Sequence, residues 1–89
     1  MAIAILFGPG LTQSQYDQVH EEVTSDNQAP AGMLFHVGAH GEGGFYVVEV
    51  WESQEAASKF FQDKLGQALQ NADISAQPQV LQVHNIMKP

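Results

Sequence analysis

Cysteine and arginine are both missing from this chain of 89 residues, and lysine occurs only as Lys59, Lys64 and Lys88. Without cysteine there is no disulfide and no thiolate metal site to stabilise a small fold. With 10 acidic residues against those 3 basic ones, the net charge is −7. Nucleic-acid binding neutralises phosphates with lysine and arginine, so this balance excludes it as a function class. The same charge disfavours anionic membrane surfaces. No apolar run reaches the roughly 20 residues of a membrane span. The opening Met1-Ala2-Ile3-Ala4-Ile5-Leu6-Phe7 lacks a basic flank and stops at Gly8-Pro9-Gly10, so it reads as a buried strand and not as a signal peptide. A cytoplasmic location is the resulting expectation.

What is present is enough apolar material for a core, at 44% of residues. Domains usually need roughly 100 to 150 residues, so residues 1–89 are read as one domain. So short a chain buries only about 60 to 70% of its unfolded surface, and a partner subunit is the natural source of further buried area.

The pattern divides into six elements. Ala2 to Phe7 is the first strand. Thr12-Gln13-Ser14-Gln15 has the form of a capping box, and Tyr16, Val19, His20 and Val23 follow at helical spacing to about Thr24. Ser25 to Gly32 is a loop. Met33 to Ala39 and Phe45 to Trp51 are β-rich runs around His40-Gly41-Glu42-Gly43-Gly44, a hairpin signature. Ser53 caps a second helix whose stripe is Ala56, Ala57, Phe60, Phe61 and Leu65. Gly66 is expected to break or kink it, with a further turn over Ala68 to Ala72. Pro78 suits the approach to a strand, and Gln79 to Met87 is read as that fourth strand.

The order β-α-β-β-α-β is the split βαβ, or ferredoxin-like, pattern. It implies an α+β sandwich: a four-stranded antiparallel sheet with both helices on one face. The other face is left bare and apolar, which monomers avoid, so a homodimer through the sheet is expected.

Strand residues alternate faces. Pairing His40 with Phe45 across the turn sets His36 opposite Glu49, Leu34 opposite Trp51 and Gly38 opposite Val47. Met33, Phe35, Val37, Tyr46, Val48 and Val50 then form an apolar face, while His36, Glu49 and Trp51 share the other. A one-residue slip would exchange charged and apolar groups between faces. On the last strand His84 is a further candidate for the polar face. A histidine beside a buried carboxylate can act as a general base, since the carboxylate fixes its tautomer. The plainer alternative is that His36 and Glu49 satisfy one another inside a dimer seam. His36, Glu49 and His84 contain no HxH or HxxxH spacing, so no metal site is assigned to them. His20 is expected as a partly exposed helix histidine and His40 as a solvated one at the hairpin tip.

The strand Gly32-Met33-Leu34-Phe35-His36-Val37, the strand-to-helix junction Gly44-Phe45-Tyr46-Val47-Val48-Glu49-Val50-Trp51-Glu52-Ser53, and the closing Val83-His84-Asn85-Ile86 resemble the dimeric α+β barrel superfamily, in particular its short antibiotic-biosynthesis-monooxygenase-type members. The resemblance implies a homodimer, a small-molecule pocket between sheet and helices, and no cofactor. It implies a monooxygenase, cyclase or isomerase acting on a small aromatic or polyketide-like molecule. The residues that would serve are His36, Glu49 and His84 for proton transfer, with Trp51, Phe45, Leu34, Phe60 and Phe61 as flat or apolar walls. Two departures stand out. Oxygenases of the group often carry an Asn on the first strand, where Ala2 to Phe7 is wholly apolar; haem-degrading relatives carry a histidine on the second helix, where Ser53 to Leu65 has none. A non-catalytic dimeric binding or stress-associated protein is the alternative.

Overall fold

The computed structural model describes residues 1–24, 28–75 and 77–89. Its first strand, β1, is Ile3–Phe7. The capping box then starts helix α1, Gln13–Val23. Thr12 N–H donates to Gln15 Oε1 at 2.9 Å and Gln15 N–H donates to Thr12 Oγ1 at 3.1 Å, so two of the helix's orphan donors are satisfied reciprocally. The Gln15 amide also donates to Ala72 O at 3.1 Å, which ties this cap to the far end of the second helical layer.

The expected loop before the hairpin falls partly outside the described residues, at 25–27. Its end is fixed by Gly32, at φ +88°, where a Cβ would stand 2.6 Å from that of Ala56. Strands β2, Met33–Gly41, and β3, Gly44–Trp51, form the hairpin. Their register pairs His40 with Phe45, Gly38 with Val47 and His36 with Glu49, as the alternation predicts. It departs at one end. A bulge between Met33 and Phe35 sets Met33, not Leu34, opposite Trp51. Met33 therefore leaves the apolar outer face assigned to it and turns inward.

Ser53 caps helix α2, Gln54–Phe60, by accepting from Ala56 N–H at 3.1 Å. The chain does not break at Gly66. It passes through a π-helical turn, Phe61–Leu65, into α3, Gly66–Asn71. Gly66 N–H reaches back to Phe61 O, and a Cβ on Gly66 would come within 3.1 Å of that oxygen. Here the glycine accommodates a widened turn and does not end a helix.

The last strand, β4, is Gln79–Gln82, with Pro78 just before it. It is shorter than the expected Gln79 to Met87. The reason lies in its partner: Gln82 pairs with Ile3, the first residue of β1, and Val83 N–H makes one more bond to Ala2 O before the neighbour runs out.

The strand order is β2-β3-β1-β4, and every neighbouring pair is antiparallel. The helical layer covers one face. Leu11, Val19, Phe45, Val47, Ala68, Ala72 and Ile74 make one buried cluster there, and Ile3, Trp51 and Ala57 a second. The opposite face carries Phe35, Val37, Val48 and Leu81, each 42 to 52% exposed.

Candidate functional site

The site begins with alternation on β3. Glu49 and Trp51 are two residues apart and so share the helix-covered face. Trp51 Nε1–H donates to Glu49 Oε1 at 3.1 Å. Across the ladder, His36 Nδ1 lies 2.9 Å from Glu49 Oε2. Glu49 is the one buried charged residue among those described, at 8% exposure, and each of its oxygens has a donor. A buried carboxylate without such partners would be strongly disfavoured.

The third member comes from α1. Tyr16 Oη lies 2.7 Å from His36 Nε2. These contacts define the imidazole's tautomer. Nδ1 faces the carboxylate, an acceptor, and so carries the hydrogen; Nε2 is then the ring's acceptor, and the Tyr16 hydroxyl donates to it. Burial pushes the Tyr16 phenol above its ordinary value, and the negative charges of Glu49 and then Asp17 push the same way. Tyr16 is thus held as a neutral donor. Its ring stacks on His20, with centroids 5.7 Å apart, and meets Phe45 at 4.9 Å.

Tyr16, His36, Glu49 and Trp51 line a cavity of about 320 Å³ between the sheet and the helical layer. Ile5, Val47, Met33, Phe60, Phe61 and Leu65 supply much of its apolar wall. Among the described residues that line it, none is a lysine, and Glu49 is the only carboxylate. The volume falls in the range of small-molecule sites, as does an apolar wall with a few convergent polar groups.

The structure brings together His36, Glu49, Trp51, Phe60 and Phe61 of the expected residues. Three others lie elsewhere. Phe45 is core: it is 7% exposed, packs against Tyr16 and His40, and does not line the cavity. Leu34 sits at the bulge and is 37% exposed; Met33 takes the wall position in its place. His84 follows the end of β4, exposed to solvent and off the cavity. The on-paper set of His36, Glu49 and His84 therefore does not assemble, and among the described residues no group of three or more metal-ligating side chains occurs. His20 is partly exposed, as expected, yet also lines the cavity beside Tyr16. His40 is exposed at the hairpin.

Tyr16 is the residue missed by the sequence reading. Its only mark in the sequence is its place on the apolar stripe of α1, one turn before His20.

No family model matches the sequence, and no curated protein does. Solved structures do. One, provisionally named an antibiotic biosynthesis monooxygenase, from Chloroflexus aurantiacus, superposes with a TM-score of 0.65 at 17% identity over 98% of both chains. SnoaB, a cofactor-independent oxygenase from Streptomyces nogalater, gives 0.63 at 9% identity over 99% of this chain and 96% of its own. The chain has the fold of these two structures. A monooxygenase with this fold, from the ActVA-Orf6 gene of Streptomyces coelicolor and solved with nanaomycin D, gives 0.57 at 19% identity over 99% and 91%. At such identities the shared property is the fold alone, a four-stranded antiparallel sheet with helices on one face. No helix among the described residues is long and apolar enough to cross a membrane.

Proposed function

We propose that the protein binds a small aromatic or polyketide-like molecule in this cavity and that His36, oriented by Glu49, serves there as a general base. The observation that carries this reading is the ordered contact Trp51–Glu49–His36 at the polar part of an otherwise apolar cavity. A purely structural pair inside a dimer seam would stand on the other sheet face. The cofactor-independent oxygenase, cyclase and isomerase reactions considered above all begin with removal of a proton from a carbon acid or phenol. Opposite Glu49, β1 presents Ile5 and no polar side chain. That favours the acid–base reactions, cyclisation or isomerisation, over reaction with oxygen. The same proposal includes a cytoplasmic homodimer whose two bare sheet faces pack together, because that face is apolar and otherwise wet.

The chain has a single tryptophan, and Trp51 lines the cavity, so its fluorescence reports occupancy. A panel of small phenols and quinones is expected to quench it, and a member of the panel to be converted. His36→Ala is expected to retain binding and lower turnover by about 10²- to 10⁴-fold, the usual contribution of a general base. Binding without conversion, unaffected by His36→Ala, would instead make this a non-catalytic binding protein.

A further inference from the structure

We infer that the group which takes the proton from the bound molecule is the Tyr16 hydroxyl, which in the same step passes its own proton to His36. This rests on the reading of His36 as the base and adds the residue that stands between it and the ligand.

Both imidazole nitrogens are already engaged. Nδ1 faces Glu49 at 2.9 Å and Nε2 faces the Tyr16 hydroxyl at 2.7 Å. With the hydroxyl in place, a ligand has no free lone pair on the ring to reach. The Tyr16 oxygen, by contrast, donates once and keeps acceptor capacity, since a hydroxyl has two lone pairs. Tyr16 also lines the cavity in its own right.

The step balances without a co-reactant. The ligand's acidic O–H or C–H bond breaks and its proton forms a bond to Tyr16 Oη. The proton that Tyr16 held moves to His36 Nε2. The products are a ligand anion, a neutral tyrosine and an imidazolium. The imidazolium Nδ1–H still faces the Glu49 carboxylate, which compensates the new charge. The new Tyr16 O–H now points at the ligand anion and stabilises it, while Nε2–H donates to the tyrosine oxygen. The groups that bear on this transfer are Glu49 from β3, and Asp17 and His20 from α1. Burial, and after it the charges of Glu49 and Asp17, disfavour a free phenolate, which suits the two transfers occurring in one step.

Charge selects the form of ligand. No lysine among the described residues lines the cavity, and Glu49 is its only carboxylate. The site takes up a neutral acid and makes the anion in place; a preformed anion finds no counter-charge.

Anthrone, a flat neutral carbon acid, is the probe. Its C10 protons exchange with solvent deuterium under base catalysis, which ¹H NMR follows in anaerobic D₂O. The wild-type protein is expected to accelerate exchange over buffer, and His36→Ala to abolish the acceleration. Tyr16→Phe keeps the stacked ring and is expected to bind anthrone with similar affinity while slowing exchange by about 100-fold or more, on the scale of general acid–base catalysis. The ¹⁵N shifts of His36 give a second readout: Nε2 is expected to lose its hydrogen-bonded signature in Tyr16→Phe while Nδ1 stays protonated. Exchange at the wild-type rate in Tyr16→Phe, with His36→Ala inactive, would overturn the relay and leave His36 as the direct base. Exchange at the wild-type rate in His36→Ala would overturn the function proposed for His36 itself.

Discussion

Tyr16, His36, Glu49 and Trp51 form one chain of hydrogen bonds running from α1 across the hairpin, and each link sets the next. Glu49 accepts from both ring systems; facing the carboxylate fixes the imidazole tautomer; and that tautomer makes the Tyr16 hydroxyl the donor to His36. The pH consequence follows from the phenol. Its native value lies above the ordinary 10.0, chiefly by burial. Below the unfolded value both states hold the proton and the group's contribution to stability is whole. As pH rises through the native value, the phenol must ionise beside Glu49 and the contribution is lost. Urea unfolding from neutral pH to above 10.0 is therefore expected to show a steeper alkaline loss of stability in the wild type than in Tyr16→Phe. Equal slopes in the two proteins would contradict that environment for Tyr16.

At the scale of elements, the hairpin positions three of the four key side chains, His36, Glu49 and Trp51, and α1 supplies the fourth, Tyr16. The His36–Glu49 pairing was legible in the sequence because alternation and the turn together allow one register. The swap of Met33 for Leu34 was not, since a bulge adds a residue without changing the apolar pattern around it. The position of His84, beyond the end of its strand, is hidden for a related reason. The length of β4 is set by where β1 begins, which the local sequence of β4 does not contain. Phe45 was expected as a cavity wall because it lies on the correct face; its burial under Tyr16 depends on how α1 docks. The same docking hid Tyr16's role, for its partner His36 is 20 residues away and on another element. The π-helical turn Phe61–Leu65 belongs to this class too. Phe61 and Leu65 at its two ends line the cavity with Phe60 just before it, and Gly66 marks the place without revealing the geometry.

For the whole molecule, the two faces of the sheet divide the work. The helix-covered face holds the cavity and its one buried charge; the bare face holds Phe35, Val37, Val48 and Leu81. A small chain without disulfides gains most by covering that second face. Sedimentation at micromolar concentration is expected to show a dimer. Val48→Lys, in the middle of the face, is expected to give a monomer of markedly lower stability, because packing that face against a partner would bury an unpaired charge. A wild-type monomer of full stability would contradict this use of the sheet.

The central claim is that a flat ligand sits between sheet and helices with its acidic group at Tyr16 and His36. A crystal structure with a bound hydroxyanthraquinone tests it most directly. The expected result is a ring system stacked among Trp51, Phe60 and Phe61, with a ligand oxygen about 2.6 to 3.2 Å from Tyr16 Oη, the reach of a proton-transfer contact. A ligand seated on the bare sheet face, or one in the cavity with its oxygen turned away from Tyr16 and His36, would contradict it.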